Sequence, residues 1–181
     1  MHPGSSPSTQ PHRDSPGAGP AASVAAAVLI LCLGVGVVLP EIGERSARQR
    51  DAQRLTRLAR VRDAIEQFRL DHGRFPAAQG RADLGGWDVS HDGDFVPELV
   101  NAGYLKQRAR DPLDDDRHHL LYRLHPAGTF GATAAGPYYV LGLRNYESRH
   151  YAHRRPGQLQ AGHGDWSGEL AWVTGGSLRQ P

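Results

Sequence analysis

The chain has 181 residues, 22% of them charged and 39% hydrophobic, with a formal net charge of +2 when histidine is neutral. That length holds one domain plus extensions, or two very small domains, and so small a net charge does not by itself argue for a nucleic-acid partner. A single cysteine, Cys32, excludes an intrachain disulfide and a cysteine-based metal site.

Residues 1–20 are rich in Pro, Ser and Gly and hold no large aliphatic residue after Met1. Such a segment buries too little apolar surface to offset its chain entropy and reads as a disordered tail. Residues 21–39 are uncharged and contain ten large aliphatic side chains, Leu29, Leu31 and Leu39 among them. As a helix they span roughly 28 Å, close to the hydrocarbon thickness of a bilayer. Their transfer is worth about −3 to −6 kcal/mol on an insertion scale, so membrane lipid is the expected first partner. Residues 39–42 offer no small-x-small cleavage signal, which favours an anchor over a signal peptide. Pro40 follows directly and is expected to bend the helix as it leaves the apolar phase.

Residues 40–75 read as an amphipathic continuation of that helix. Leu55, Leu58, Val61, Ile65 and Phe68 recur at helical spacing and form an expected core stripe. Arg48, Asp51, Arg54, Arg57, Arg60, Arg62, Asp63, Glu66 and Arg69 are assigned to a solvated opposite face. Gly73 and Pro76 end the helix. Residues 76–181 are expected to form a small β-rich region with long loops. Its best strands are 119–124 and 137–143, with a weaker one at 169–174. Residues 77–94 read as a Gly/Asp-rich loop anchored by Trp87, residues 96–105 as a short helical turn closed by Gly103, and 145–165 as a long polar loop. The fold class is therefore α+β: one long N-terminal helix packed on a small antiparallel sheet.

Catalytic signatures are missing from the linear sequence: no nucleophile elbow, phosphate-binding loop or zinc-helix motif is present, and no enzyme activity is expected. Asp114, Asp115 and Asp116 with His118 and His119, and His150 with His153, are weak metal candidates, because adjacent carboxylates in a turn diverge. Asp92-Gly93-Asp94 starts like a calcium loop but lacks its later ligands. The basic run 150–155, with Arg154 and Arg155, could contact phosphates; a solvated surface explains it better, and nucleic acid is not an expected partner.

Three blocks carry a resemblance. Arg74-Phe75-Pro76 closes the long helix; Gly103-Tyr104-Leu105-Lys106 precedes Asp111-Pro112; and Tyr138-Tyr139-Val140-Leu141-Gly142 follows as a strand. Together with the spacing from Pro40 to Pro76, they make residues 21–142 resemble type IV pilin-like proteins, most closely the major pseudopilins of type II secretion. The resemblance implies a pilin-like fold and a structural subunit that assembles through its N-terminal helix, with itself and other pseudopilins, to support protein export. It implies a bacterial inner-membrane location with a single pass and the C-terminal region periplasmic or extracytoplasmic. The arginines at 45, 48, 50, 54, 57 and 60 would by the positive-inside rule place that region in the cytoplasm instead. It also implies a calcium site in an acidic loop near the C-terminus, for which Asp165 and Glu169 are the weak counterparts; no other cofactor is implied. Two features depart from the family. The Gly-Phe-Thr-Leu-Ile-Glu processing motif has no counterpart, and Ser23 stands where the family glutamate would lie. They favour an alternative, a non-polymerising membrane-anchored module of the same fold that binds DNA or another envelope protein.

Overall fold

The computed structural model describes residues 20–80, 82–129, 136–153, 166 and 168–178, with side chains at all of these except 20–23, 25–40, 82 and 92. The chain divides into two compact units, residues 1–41 and 42–181. In the first, the described backbone is helical from Pro20 onward, part of α1 (Pro20–His72). The side chains of the expected anchor residues Leu29, Leu31, Leu39 and Pro40 lie outside the described ones. Among the described residues no helix is long and apolar enough to cross a membrane.

In the second unit, α1 ends where expected. Gly73 takes a left-handed conformation (φ 67°), and its N–H donates to the Arg69 carbonyl at 2.9 Å, closing the last turn. Four strands follow: β1 (Asp88–Val89), β2 (Leu120–His125), β3 (Tyr138–Leu143) and β4 (Trp172–Ser177). They pair consecutively and antiparallel in the order β1-β2-β3-β4. The short helices α2 (Pro97–Asn101) and α3 (Arg149–Ala152) sit in the connections, with 3-10 turns at Ala82–Leu84 and Ser90–Asp92 flanking β1. The architecture is α+β, a long helix on an antiparallel sheet, as the sequence implies.

Strand alternation places two apolar sets on opposite faces of the sheet. Leu120, Tyr122, Tyr139, Leu141 and Leu143 pack with Leu58, Val61, Ala64, Ile65 and Phe68 of α1, and Phe75, Phe95, Val96 and Leu99 complete this main core. Leu121, Tyr138, Val140 and Val173 face the other way and are covered by Trp87, Val89, Trp166 and Leu170. Trp87 and Trp166 meet edge to face at 5.5 Å, so the expected anchoring role of Trp87 is fulfilled in this second core. Gly142 is required here. A Cβ on it would come within 2.6 Å of Leu170 Cδ1 and 3.1 Å of the Trp172 carbonyl.

Several expectations need correction, the last strand at Trp172–Ser177 rather than 169–174 among them. Leu55 is half-buried and lies beside the core stripe rather than in it. Asp51 and Arg54, assigned to the solvated face, are fully buried. The buried face of α1 runs Ala47, Asp51, Arg54, Leu58, Val61, Ile65 and Phe68, an unbroken four-three spacing in which two positions are charged. Part of residues 77–94 is a strand and not a loop: β1 adds to the sheet by pairing Asp88 with Tyr122 and Val89 with Leu121.

Candidate functional site

Arg54 is the centre of a buried ionic cluster that fastens α1 to two loops. Its Nε donates to Asp111 Oδ2 at 2.6 Å and its second terminal nitrogen to Asp111 Oδ1 at 2.9 Å, a bidentate fork. The first terminal nitrogen donates to Asp51 Oδ1 at 2.6 Å, one turn back on the helix. Asp51 in turn accepts from the Glu147 N–H (3.1 Å), the Ser148 N–H (2.8 Å) and the Ser148 hydroxyl (2.6 Å). Arg50 clamps Glu147 from outside, with Nε 2.7 Å from Oε2. Burial opposes the charge on Arg54, but the Asp111 and Asp51 carboxylates overcome it and hold the guanidinium above its ordinary pKa. The hydrogen bond from Arg50, against the opposing effect of burial, pulls the Glu147 carboxyl below its usual range. Asp111 also organises its own turn by accepting from the Leu113 N–H at 2.9 Å. Pro112 beside it is half-buried.

The residues of the Arg-Phe-Pro block each have a distinct contact. Arg74 pairs with Glu98 of α2 through both carboxylate oxygens and lies 5.0 Å over the Phe68 ring. Phe75 is in the main core, 5.0 Å from the Tyr139 ring. The Pro76 carbonyl accepts from the buried Tyr122 hydroxyl at 2.7 Å. Arg74 lowers the pKa of Glu98, with burial acting against it. The Gly-Tyr-Leu-Lys block meets the same end of α1. Gly103 (φ 83°) turns the chain out of α2, the Tyr104 hydroxyl donates to Asp71 at 2.7 Å, and its ring stands edge-on to Phe68 at 5.4 Å. Leu105 packs on the main core, while Lys106 is exposed. The structure thus brings the two blocks together at the lower end of α1, and Asp111 to the middle of it.

Between α1 and residues 104–110 lies a groove of about 1280 Å³. Its walls carry Arg57, Arg60, Lys106, Arg108 and Arg110 against one carboxylate, Asp63, over a floor that includes Val61, Ala64 and Leu105. Arg57 donates to the Arg110 carbonyl, and Arg108 pairs with Asp94 at 2.6 Å. Sequence reading gave no hint of this groove, because the cations come from two segments about fifty residues apart, the helix run is mixed in sign, and the 104–110 run is only three cations long.

The remaining candidates do not converge. Asp114 Oδ1 accepts from the Ser90 hydroxyl at 2.6 Å, Asp115 accepts from the Arg117 and His118 N–H groups, and Asp116 is almost wholly exposed. The His91 and His119 rings lie 4.8 Å apart. His150 and His153 fall in and just after α3, both exposed. Among the described residues no three His, Cys, Asp or Glu side chains are grouped to hold a metal ion. Of the two calcium candidates, Asp165 lies outside the described residues, as do Arg154 and Arg155. Glu169 is exposed, and its carbonyl accepts from Arg144 at 3.1 Å.

The long helix followed by a four-stranded antiparallel sheet is compatible with a pilin-like fold. No protein-family model, curated protein or solved structure matches the chain.

Proposed function

We propose that the protein is a membrane-anchored, pilin-like structural subunit, resembling the major pseudopilins of type II secretion, that assembles through its N-terminal helix into a filament supporting protein export. The observation that carries this reading is the use made of the resemblance blocks. Arg74, Phe75, Pro76, Tyr104 and Asp111 all serve to lock the sheet and its loops onto one face of α1. Fastening of the sheet to residues 42–72 of α1 in this way suits a filament built from packed helices. The apolar residues 21–39 would supply that packing and hold the subunit in lipid before assembly. Cross-linking of the full chain in cells should give a ladder of homo-oligomers; monomers alone under secreting conditions would rule the filament out.

A second reading is a non-polymerising anchored module of the same fold that grips DNA or another envelope protein, favoured by Ser23 in place of a glutamate. It predicts an intact N-terminus in the mature protein. Salt-sensitive DNA retention lost on neutralising Arg154 and Arg155 would support its DNA form, and retention indifferent to salt would exclude it.

A further inference from the structure

The groove between α1 and residues 104–110 is a basic surface that contacts among the described residues leave largely unmatched. Arg60, Lys106 and Arg110 line it, and their side chains make no hydrogen bond or ion pair among the described residues. At about 1280 Å³ it is larger than the roughly 300–1,000 Å³ of a small-ligand site. Its apolar floor suits a polypeptide turn better than a bare anion. Stacked bases would need a free aromatic face, and the Tyr104 ring is already packed on Phe68 with its hydroxyl on Asp71.

The segments outside the described residues have the wrong sign to fill it. They hold Arg13, Arg81, Arg154, Arg155 and Arg179 against Asp14 and Asp165. Most carboxylates elsewhere are already paired: Asp51 and Asp111 with Arg54, Glu98 with Arg74, Glu66 with Arg69, Asp94 with Arg108. Three adjacent carboxylates stand at the turn 114–116, where the Asp116 side chain is 99% exposed and Asp115, 52% exposed, has Oδ1 on His118 at 3.0 Å. The nearest opposite group to Asp116 is His91 at 3.8 Å, charged only when protonated.

We propose that the groove receives the Asp115–Asp116 turn of a second copy of this chain, the carboxylates pairing with Arg60, Lys106 and Arg110. The groove and the turn are different patches, so the contact is heterologous. Each copy offers a groove at one site and an exposed acidic turn at the other, and such contacts extend into open assemblies. This contact rests on the filament reading above and names the charged pairing that sets subunit register within it.

The test uses full-length chains with Cys32→Ser, produced together with two different tags, one carrying Arg60→Cys and the other Asp116→Cys. Mild oxidation should give a dimer bearing both tags, about tenfold above either variant alone. Adding Lys106→Glu and Arg110→Glu to the groove copy should abolish it, and adding Asp115→Arg to the turn copy should then restore it in part. Absence of the mixed dimer while the unaltered chain still gives its oligomer ladder would overturn this contact and leave the filament reading standing. Loss of the ladder itself would sink both. Capture of a single-stranded oligonucleotide by the groove in place of the mixed dimer would also overturn it.

Discussion

At the scale of single residues, Arg54 is the most consequential side chain on the helix. A buried guanidinium with two buried carboxylates contributes little net stability against an apolar equivalent, but removing one member strands the others. Arg54→Met leaves Asp51 and Asp111 buried without their counter-charge and should cost about 3–5 kcal/mol in denaturant unfolding. Arg50→Met, at the partly exposed edge of the same cluster, should cost about 1 kcal/mol or less. Equal losses for the two would show that the cluster is solvated.

Histidine sets the acid response. His125 is buried, stacked on Tyr138 at 4.8 Å, and burial lowers its pKa to about 4, with Arg123 adding to the effect. Burial also lowers the pKa of His119, beside His91 and Arg144. The unfolded chain therefore binds protons near pH 6.5 that the folded chain refuses, and stability falls as pH drops from about 6.5 towards 4. Glu98 and Glu147, whose pKa values are lowered by arginine, lose their contribution only below about pH 4.5. His125→Phe should reduce the slope of the upper limb of a plot of thermal midpoint against pH, leaving the part due to His119 and the lower limb in place.

At the scale of elements, the helix stripe shows where sequence reading succeeds and where it stops. From Leu58 to Phe68 the buried face is apolar, so spacing and hydropathy agree. Above Leu58 the same four-three spacing continues through Arg54, Asp51 and Ala47, but charge reads as solvent exposure, and the run shifts in appearance to Leu55. The legible signal was geometric: an Arg and an Asp in phase with the stripe need buried partners, and Asp111 and Glu147 lie far along the chain. Leu58→Ala should therefore cost about 2–5 kcal/mol, and Leu55→Ala clearly less, by the same denaturant measurement. The sheet was legible in β3, where Tyr138, Tyr139 and Val140 supply aromatic and β-branched character, and in β2 through its apolar Leu120, Leu121, Tyr122 and Leu124. The last strand is displaced from 169–174 to Trp172–Ser177 because Gly175 and Gly176 weaken its propensity. Gly176 is nonetheless fitted to its place, since a Cβ there would meet Glu66 Oε1 at 2.7 Å. β1, two residues long in a Gly/Asp-rich stretch, carries too short a pattern to read. Gly142→Ala, forced against Leu170 and the Trp172 carbonyl, should destabilise by about 1–3 kcal/mol.

At the scale of the whole molecule, the sequence conveys the class, a long helix followed by a meander, because every strand pairs with its neighbour in sequence. The basic groove was not legible, since it exists only where residues 57–67 and 104–110 meet in space. Bringing Arg60, Lys106 and Arg110 together with one carboxylate, Asp63, makes that face salt-sensitive. Homo-oligomer formation by the full chain should weaken as ionic strength rises from about 0.05 to 0.5 M, measured by cross-linking yield; yield unchanged across that range would count against charged contacts in assembly.

The partners of Asp51 bear on when the fold can form as well as on what holds it. The helix is complete in sequence by residue 72, yet Asp51 waits for the Ser148 N–H and hydroxyl, 97 residues later. A chain growing from its N-terminus therefore displays a helix with an Arg and an Asp facing a core that does not yet exist. Until residue 148 is free of the ribosome, water must take the place of Ser148 on Asp51. A chain cut short before that residue can pair Arg54 with Asp51 and Asp111 but leaves Asp51 Oδ2 without the Ser148 N–H and hydroxyl, so the seam between α1 and the loop at 147–148 acts as a check that most of the domain has been made.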